Sequence, residues 1–252
     1  MSSGFEDRVI LVTGSGNGIG RAIARELASR GVTVGINDLK PEFVEASVAD
    51  IHARGGRALP CVQNVASREG MRSAVLGLAN DAGRFDGLVN NAAWVRYQNV
   101  ADIQPETVDR MLDIGFKAII WGIQAAAEVM DAGRGGAIVN IASVAGYRST
   151  PNSIVYSGIK AGIIGITRAA AVDLGARNIR VNAIAPAAIP TEGTMRNRNA
   201  ERDARRIAAT PLGRLGTVDD IARVACFLLG PDSGFVTGET MLVDGGTTNA
   251  IF

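Results

Sequence analysis

The 252-residue sequence predicts an α/β protein organised as a single domain, with a parallel sheet carrying helices on both faces. Short β-branched runs alternate with longer segments whose apolar residues recur at three- and four-residue spacing, a repeated strand–helix–strand rhythm. The runs are continuously apolar, as in strands buried on both faces of a parallel sheet. No linker-like break in composition and no repeat of fixed period divides the chain, so residues 1–252 are expected to share one core.

Taken in order, VILVT (9–13) is the first strand and leads through a glycine-rich turn into a helix over 20–31. VTVGIN (32–37) and ALPCVQ (58–63) are strands flanking a helix over 41–56, and a further helix spans 68–83. GLVNN (87–91), GAIVNIAS (136–143), IRVNAIA (179–185) and TMLVD (240–244) complete seven strand-like runs, with long apolar helical patterns over 105–131 and 153–175. One irregular stretch, 186–211, is loop-like and then polar and helical, ahead of a helical TVDDIARVACFLLG (217–230). Its part from about 188 to 211 reads as an insertion that covers a site.

Composition narrows the function classes. A formal charge of +1 gives no electrostatic case for a nucleic-acid or membrane-surface partner. Two cysteines, Cys61 and Cys226, lie in apolar stretches and read as core; with His52 as the only histidine they do not supply an ordinary zinc ligand set, and no metal is expected. The amino-terminal MSSGFEDR lacks a basic start followed by an apolar run, and no apolar segment reaches membrane-spanning length. A cytoplasmic protein is the expectation.

The turn VTGSGNGIGRAIA (12–24) joins a strand to an amphipathic helix. Glycines let the backbone approach a pyrophosphate, and the helix N-terminus offers free N–H groups and a positive dipole end. The spacing is Gly14, three residues, Gly18, one residue, Gly20. The next strand leads to Asp38, where a carboxylate accepts hydrogen bonds from adenosine ribose hydroxyls and repels a 2′-phosphate. No arginine or lysine stands beside it before Lys40, and Asn17 is neutral, so NAD is expected over NADP.

With this turn, Asp38, NNAA (90–93), NIASVAG (140–146), VYSGIK (155–160) and VNAIAPAAIPT (181–191) in that order, the chain resembles the short-chain dehydrogenase/reductase family from about Val9 to the VDGG at 243–246. The resemblance implies a single-domain, seven-stranded parallel sheet of Rossmann type, assembly as a homotetramer or dimer, and hydride transfer between a nicotinamide cofactor and an alcohol or ketone. It places the backbone of Ser15, Gly16, Asn17, Gly18 and Ile19 near the pyrophosphate, with Asp38 and Leu39 at the adenosine ribose. Asn64 stands where an aspartate is common on the adenine amino group, and Val65 adds a backbone contact. Asn90 and Ala92 flank the ribose; Pro186 through Thr191, with Ile189, flank the nicotinamide, and Thr191 is set for its carboxamide.

The family also gives the VYSGIK pair its reading. On a helix, Tyr156 and Lys160 share one face, one turn apart. A phenol with a pKa near 10 is a poor base at neutral pH, and a nearby cation favours the phenolate. The resemblance makes Tyr156 the proton donor or acceptor, Lys160 its tuner and the anchor of the nicotinamide ribose, and Ser143 the group that orients the substrate oxygen. At the usual position of a further asparagine stands Gly115, which keeps a backbone carbonyl and tolerates a kink. The substrate wall is expected from Trp94, Tyr97, Val144, Tyr147, Arg148, Asn152, Ile189 and Met195. Arg96, Arg148, Arg196 and Arg198 leave open an anionic substrate. Two other classes also stay open: a catalytically weak NAD-binding sensor or scaffold, and a non-redox lyase or epimerase on the same fold.

Overall fold

The computed structural model describes residues 4–195 and 199–250. Strands β1 (Val9–Val12), β2 (Thr33–Asp38), β3 (Arg57–Val62), β4 (Gly87–Asn90), β5 (Gly136–Ile141), β6 (Ile179–Pro186) and β7 (Thr240–Val243) form one sheet. The strand order is β3-β2-β1-β4-β5-β6-β7 and every pairing is parallel. The order reverses between β1 and β4, the switch point at whose carboxyl edge open α/β sheets bind ligands.

Helices α1 (Gly18–Ser29), α2 (Pro41–Ala53), α3 (Arg68–Ala82), α4 (Pro105–Leu112), α5 (Ala118–Val129), α6 (Ile154–Leu174), α7 (Glu192–Met195), α8 (Ala200–Ala208) and α9 (Val218–Leu229) connect or follow the strands. Within β1 all four residues are buried, and successive side chains serve opposite faces. Ile10 and Val12 pack with α1, α2 and α9 through Ile23, Leu27, Val44 and Ile221, whereas Val9 and Leu11 pack with α3 and α5 through Met71, Val75 and Ala125. Continuous apolar runs therefore reflect two-sided burial, as the sequence requires.

A third cluster, including Met111, Ile119, Ile159 and Ile163, sits under the carboxyl edge and supports the partly buried Trp94 and Tyr156. Each predicted strand lies within two residues of its observed position. The pattern over 105–131 is not one regular helix: a π-helical turn, Asp113–Lys117, joins α4 to α5 with the buried Gly115 at its centre. Within the irregular stretch, the described residues form α7 and α8. Among the described residues no helix is long and apolar enough to cross a membrane.

Candidate active site and cofactor cradle

The glycine-rich turn is dictated by crowding. Gly14 and Gly18 adopt left-handed φ of 62° and 55°. A Cβ on Gly20 would lie 2.4 Å from the Gly14 carbonyl oxygen, and one on Gly16 would lie 2.7 Å from Asp38 Oδ2. The turn thus closes directly against the end of β2. Asn17 caps α1 without a side-chain hydrogen bond, leaving backbone donors for an anion. These features fit a dinucleotide: a backbone cradle that side chains would fill, a helix N-terminus, and a carboxylate at the end of the second strand.

Several residues expected at the cofactor also have partners within the protein. The Ser15 amide donates to the Asn37 carbonyl at 2.8 Å and its hydroxyl to the Val12 carbonyl at 2.7 Å, so Ser15 shapes the turn and turns its own donors inward. Asn64 Oδ1 accepts from the Ala66 amide at 3.1 Å, one of the two bonds an amide oxygen takes, while Val65 is buried in the core. Leu39 is exposed beside Asp38. Lys40 Nζ stands 5.0 Å from the centre of the Phe43 ring, on α2.

Asn90 turns its side chain into the protein. Its Nδ2 donates to Asn140 Oδ1 at 2.9 Å, and Asn140 Nδ2 donates to Thr167 Oγ1 at 3.0 Å. The neighbouring Asn91 does what the sequence left unassigned: its Nδ2 donates to the carbonyls of Thr13 and Gly14 at 2.8 and 3.1 Å. Thr13 Oγ1 in turn accepts the amides of Asn91 and Ala92. These bonds bind the loop after β4 to the glycine turn. The doubled asparagine in NNAA was their only sequence signal, since a strand-end amide has no periodicity.

Ser143 follows β5 and caps the 3-10 turn Val144–Gly146, its Oγ accepting the Ala145 amide at 3.1 Å. Tyr156 and Lys160 project from the first two turns of α6. The Ser143 side chain lies close enough to the Tyr156 phenol to favour its ionised form, and the Tyr156 ring meets Tyr97 edge to face with centroids 5.6 Å apart. Lys160 is buried; its Nζ donates to the Ile141 carbonyl at 2.6 Å and lies 5.7 Å from the Tyr156 ring centroid. The three side chains converge at the carboxyl edge of β5.

Electrostatics depart from expectation. Burial pushes the Tyr156 phenol up to about 12, against the lowering effect of the Ser143 side chain. Burial also brings the Lys160 ammonium down to about 8. Desolvation is the leading cause for each group, so a lysine lowering the tyrosine pKa is not the governing effect in this state.

Of the residues expected in the substrate wall, Tyr97 and Val144 stand nearest the trio through Tyr156 and Ser143. Trp94 is partly buried with the Arg110 guanidinium 4.3 Å above its ring, and Tyr147 is exposed after the 3-10 turn. Asn152 has a left-handed φ of 66° and its carbonyl accepts the Gln98 amide at 3.0 Å, joining two loops at the rim. Ile189 is partly buried, packed toward Gly216 and the core. Arg148 is also directed elsewhere: its Nη1 donates to the carbonyls of Thr247, Thr248 and Ala250 at 3.1 to 3.2 Å. The Met195 side chain, Arg196 and Arg198 lie outside the described residues.

The comparisons with known proteins agree with this architecture. Residues 14–248 match the family model described as Enoyl-(Acyl carrier protein) reductase. The chain is 35% identical to 3-oxoacyl-[acyl-carrier-protein] reductase of Thermotoga maritima, over 96% of this chain and 98% of that one. It is also 35% identical to cyclohexanol dehydrogenase of an Acinetobacter species, covering 99% and 98%. A solved 7α-hydroxysteroid dehydrogenase, in complex with NADH and 7-oxo glycochenodeoxycholic acid, superposes with a TM-score of 0.93 at 31% identity, covering 98% of this chain and 97% of that chain. The protein belongs to the short-chain dehydrogenase/reductase family, oxidoreductases of alcohols and ketones that use a nicotinamide cofactor.

Proposed function

We propose that the protein is an NAD(H)-dependent oxidoreductase that interconverts a secondary alcohol and a ketone, with Tyr156 as general acid and base. The observation that carries the reading is the convergence of Ser143, Tyr156 and Lys160 beside a turn closed against Asp38. A nicotinamide held at this edge supplies the hydride in reduction and takes it up in oxidation. Gly18, Ile19, Asp38, Ala92, Lys160 and Thr191 hold the dinucleotide.

The Ser143 and Tyr156 hydroxyls donate to the substrate oxygen and fix the carbonyl for attack. As negative charge develops on that oxygen, the Tyr156 proton moves onto it, and the phenolate left behind is stabilised by the Lys160 ammonium. In oxidation the same proton returns to Tyr156. A phenol pushed up to about 12 is well held as the acid; extracting an alcohol proton requires Lys160 in its charged form.

Asp38 supports NAD, because its carboxylate stands where a 2′-phosphate would meet like charge and Lys40 is drawn onto Phe43. Tyr97 and Trp94 support an apolar, ring-sized substrate; cyclohexanol, named for the Acinetobacter relative, is of that kind. Exposed apolar residues on α5 and α6, Ile120 and Val172, support assembly as a homotetramer or dimer, which we place in the cytoplasm.

The test is absorbance at 340 nm with NAD or NADP and a panel of cyclic and acyclic secondary alcohols, run beside Tyr156→Phe. We expect NADH with NAD only, and a loss of turnover of about 10²- to 10⁴-fold in the variant. Turnover retained in Tyr156→Phe would reject its role, and equal use of NADP would reject that of Asp38. Cofactor binding with no turnover across the panel would favour a sensor, and product without net NADH a lyase or epimerase.

A further inference from the structure

We propose that Glu192 is an internal anion at the phosphate subsite, one that a dinucleotide displaces from the N-terminus of α1, so that this residue sets cofactor affinity. The inference rests on the dinucleotide reading of the glycine-rich turn. Glu192, the first residue of α7, places Oε2 2.9 Å from the Gly18 amide, a donor 174 positions earlier in the chain. Its other oxygen pairs with the Arg21 guanidinium, one turn into α1.

Gly18 is the first residue of α1, a helix of 12 residues with no acidic residue in its first turn and no side-chain cap from Asn17. A carboxylate and a phosphate are both oxyanions, and each is drawn to the same N–H groups and positive dipole end. One amide serves one such oxygen well, and two anions at that point repel. The Glu192 side chain is 57% exposed, so its bonds are screened by solvent and yield to a doubly charged pyrophosphate.

The position of Glu192 joins this exchange to the segment expected at the nicotinamide. It directly follows Thr191, whose side chain would lie 3.4 Å from a Cβ on Gly18. While Glu192 holds Gly18, the segment from Pro186 to α7 is tied across the turn; once the phosphates take that amide, the tie is released. A cleft of about 860 Å³, lined by Gly18, Arg21, Thr191, Glu192 and Asp219, leaves the carboxylate room to swing away.

Calorimetric titration of NAD and of ADP-ribose into ligand-free protein tests the proposal without reading turnover. E192Q should bind both compounds at least fivefold tighter than wild type, and the gain should shrink in high salt. D219N, which removes a charge from the same cleft without touching Gly18, should bind within twofold of wild type. Equal or weaker binding by E192Q overturns the proposal and makes Glu192 a positioning residue for the segment. An equal gain in D219N also overturns it, since the cause would then be the general field. If wild type and both variants fail to bind either compound, the dinucleotide reading falls together with this one; wild-type binding with unchanged E192Q affinity removes this inference alone.

Discussion

At the residue scale, the candidate trio of Ser143, Tyr156 and Lys160 shows how burial redirects chemistry that spacing alone suggests. Lys160 is placed by one bond, Nζ to the Ile141 carbonyl, and it stays in a site where water does not solvate its charge. Burial brings its ammonium down to about 8 from the ordinary value of 10.5 that it regains on unfolding. Between those values the unfolded state binds more protons, so this group makes stability rise with pH; below pH 8 the cost of the buried charge is present in full. Ligand-free wild type should accordingly gain up to about 3 kcal/mol relative to Lys160→Met between pH 8 and 10.5. Denaturant unfolding across that range reads the difference, and a flat difference curve would show that Lys160 is not desolvated. Tyr156 acts with the opposite sign and later: its folded-state pKa is raised, so its contribution is lost only as pH climbs from 10 toward 12. Tyr156 and Lys160 were legible from their four-residue spacing, whereas Asn91 and Glu192 were not, because their partners lie 78 and 174 positions away.

At the scale of elements, the π-helical turn between α4 and α5 is the clearest departure from sequence periodicity. A single extra residue in a helical turn rotates the register of the next helix and often marks a functional site. Gly115 is buried there, and a Cβ at its position would meet Ile159 Cγ2 at 3.5 Å, an ordinary contact. Gly115→Asn should therefore fold with stability changed by less than about 1 kcal/mol, and alter turnover and the pH–rate profile by placing an amide beside the trio. An unchanged profile and turnover would remove any proton-relay role from this position. Helices α1 and α6 illustrate the reverse case: their extents follow from apolar spacing, and their ends from turns that the sequence displays openly.

Across the whole molecule, the segment 247–250 is tied to the edge of the candidate site by Arg148, a residue whose charge suggested substrate contact. One nitrogen meets three carbonyls of residues 247–250, and Asp244 accepts the amides of Gly246 and Thr248 at 2.9 and 2.7 Å. Arg148→Met should raise amide hydrogen exchange across 246–250 and lower Tm by about 2–4 °C, the effect of roughly 1 kcal/mol in a chain of this size. The KM for a neutral ketone should change less than about twofold. Loss of affinity confined to anionic substrates, with exchange unchanged, would restore Arg148 to the substrate wall.

Local patterns in the chain were enough to specify the sheet, the order of its strand–helix units, the glycine-rich turn and the Tyr156–Lys160 pair, whereas Ser143 entered through the family resemblance. The local patterns depend on periodicity, on glycine where side chains do not fit, or on short spacing within one helix. Where donors and charges are spent was settled only by the folded arrangement. It turned Ser15 inward, committed Arg148 to the segment 247–250, inserted a π turn at Gly115, carried Glu192 to the head of α1 and set the protonation of Tyr156 and Lys160 by burial. Hydrogen-bond partners and desolvation depend on which distant segments meet, and no local pattern in the chain encodes that meeting.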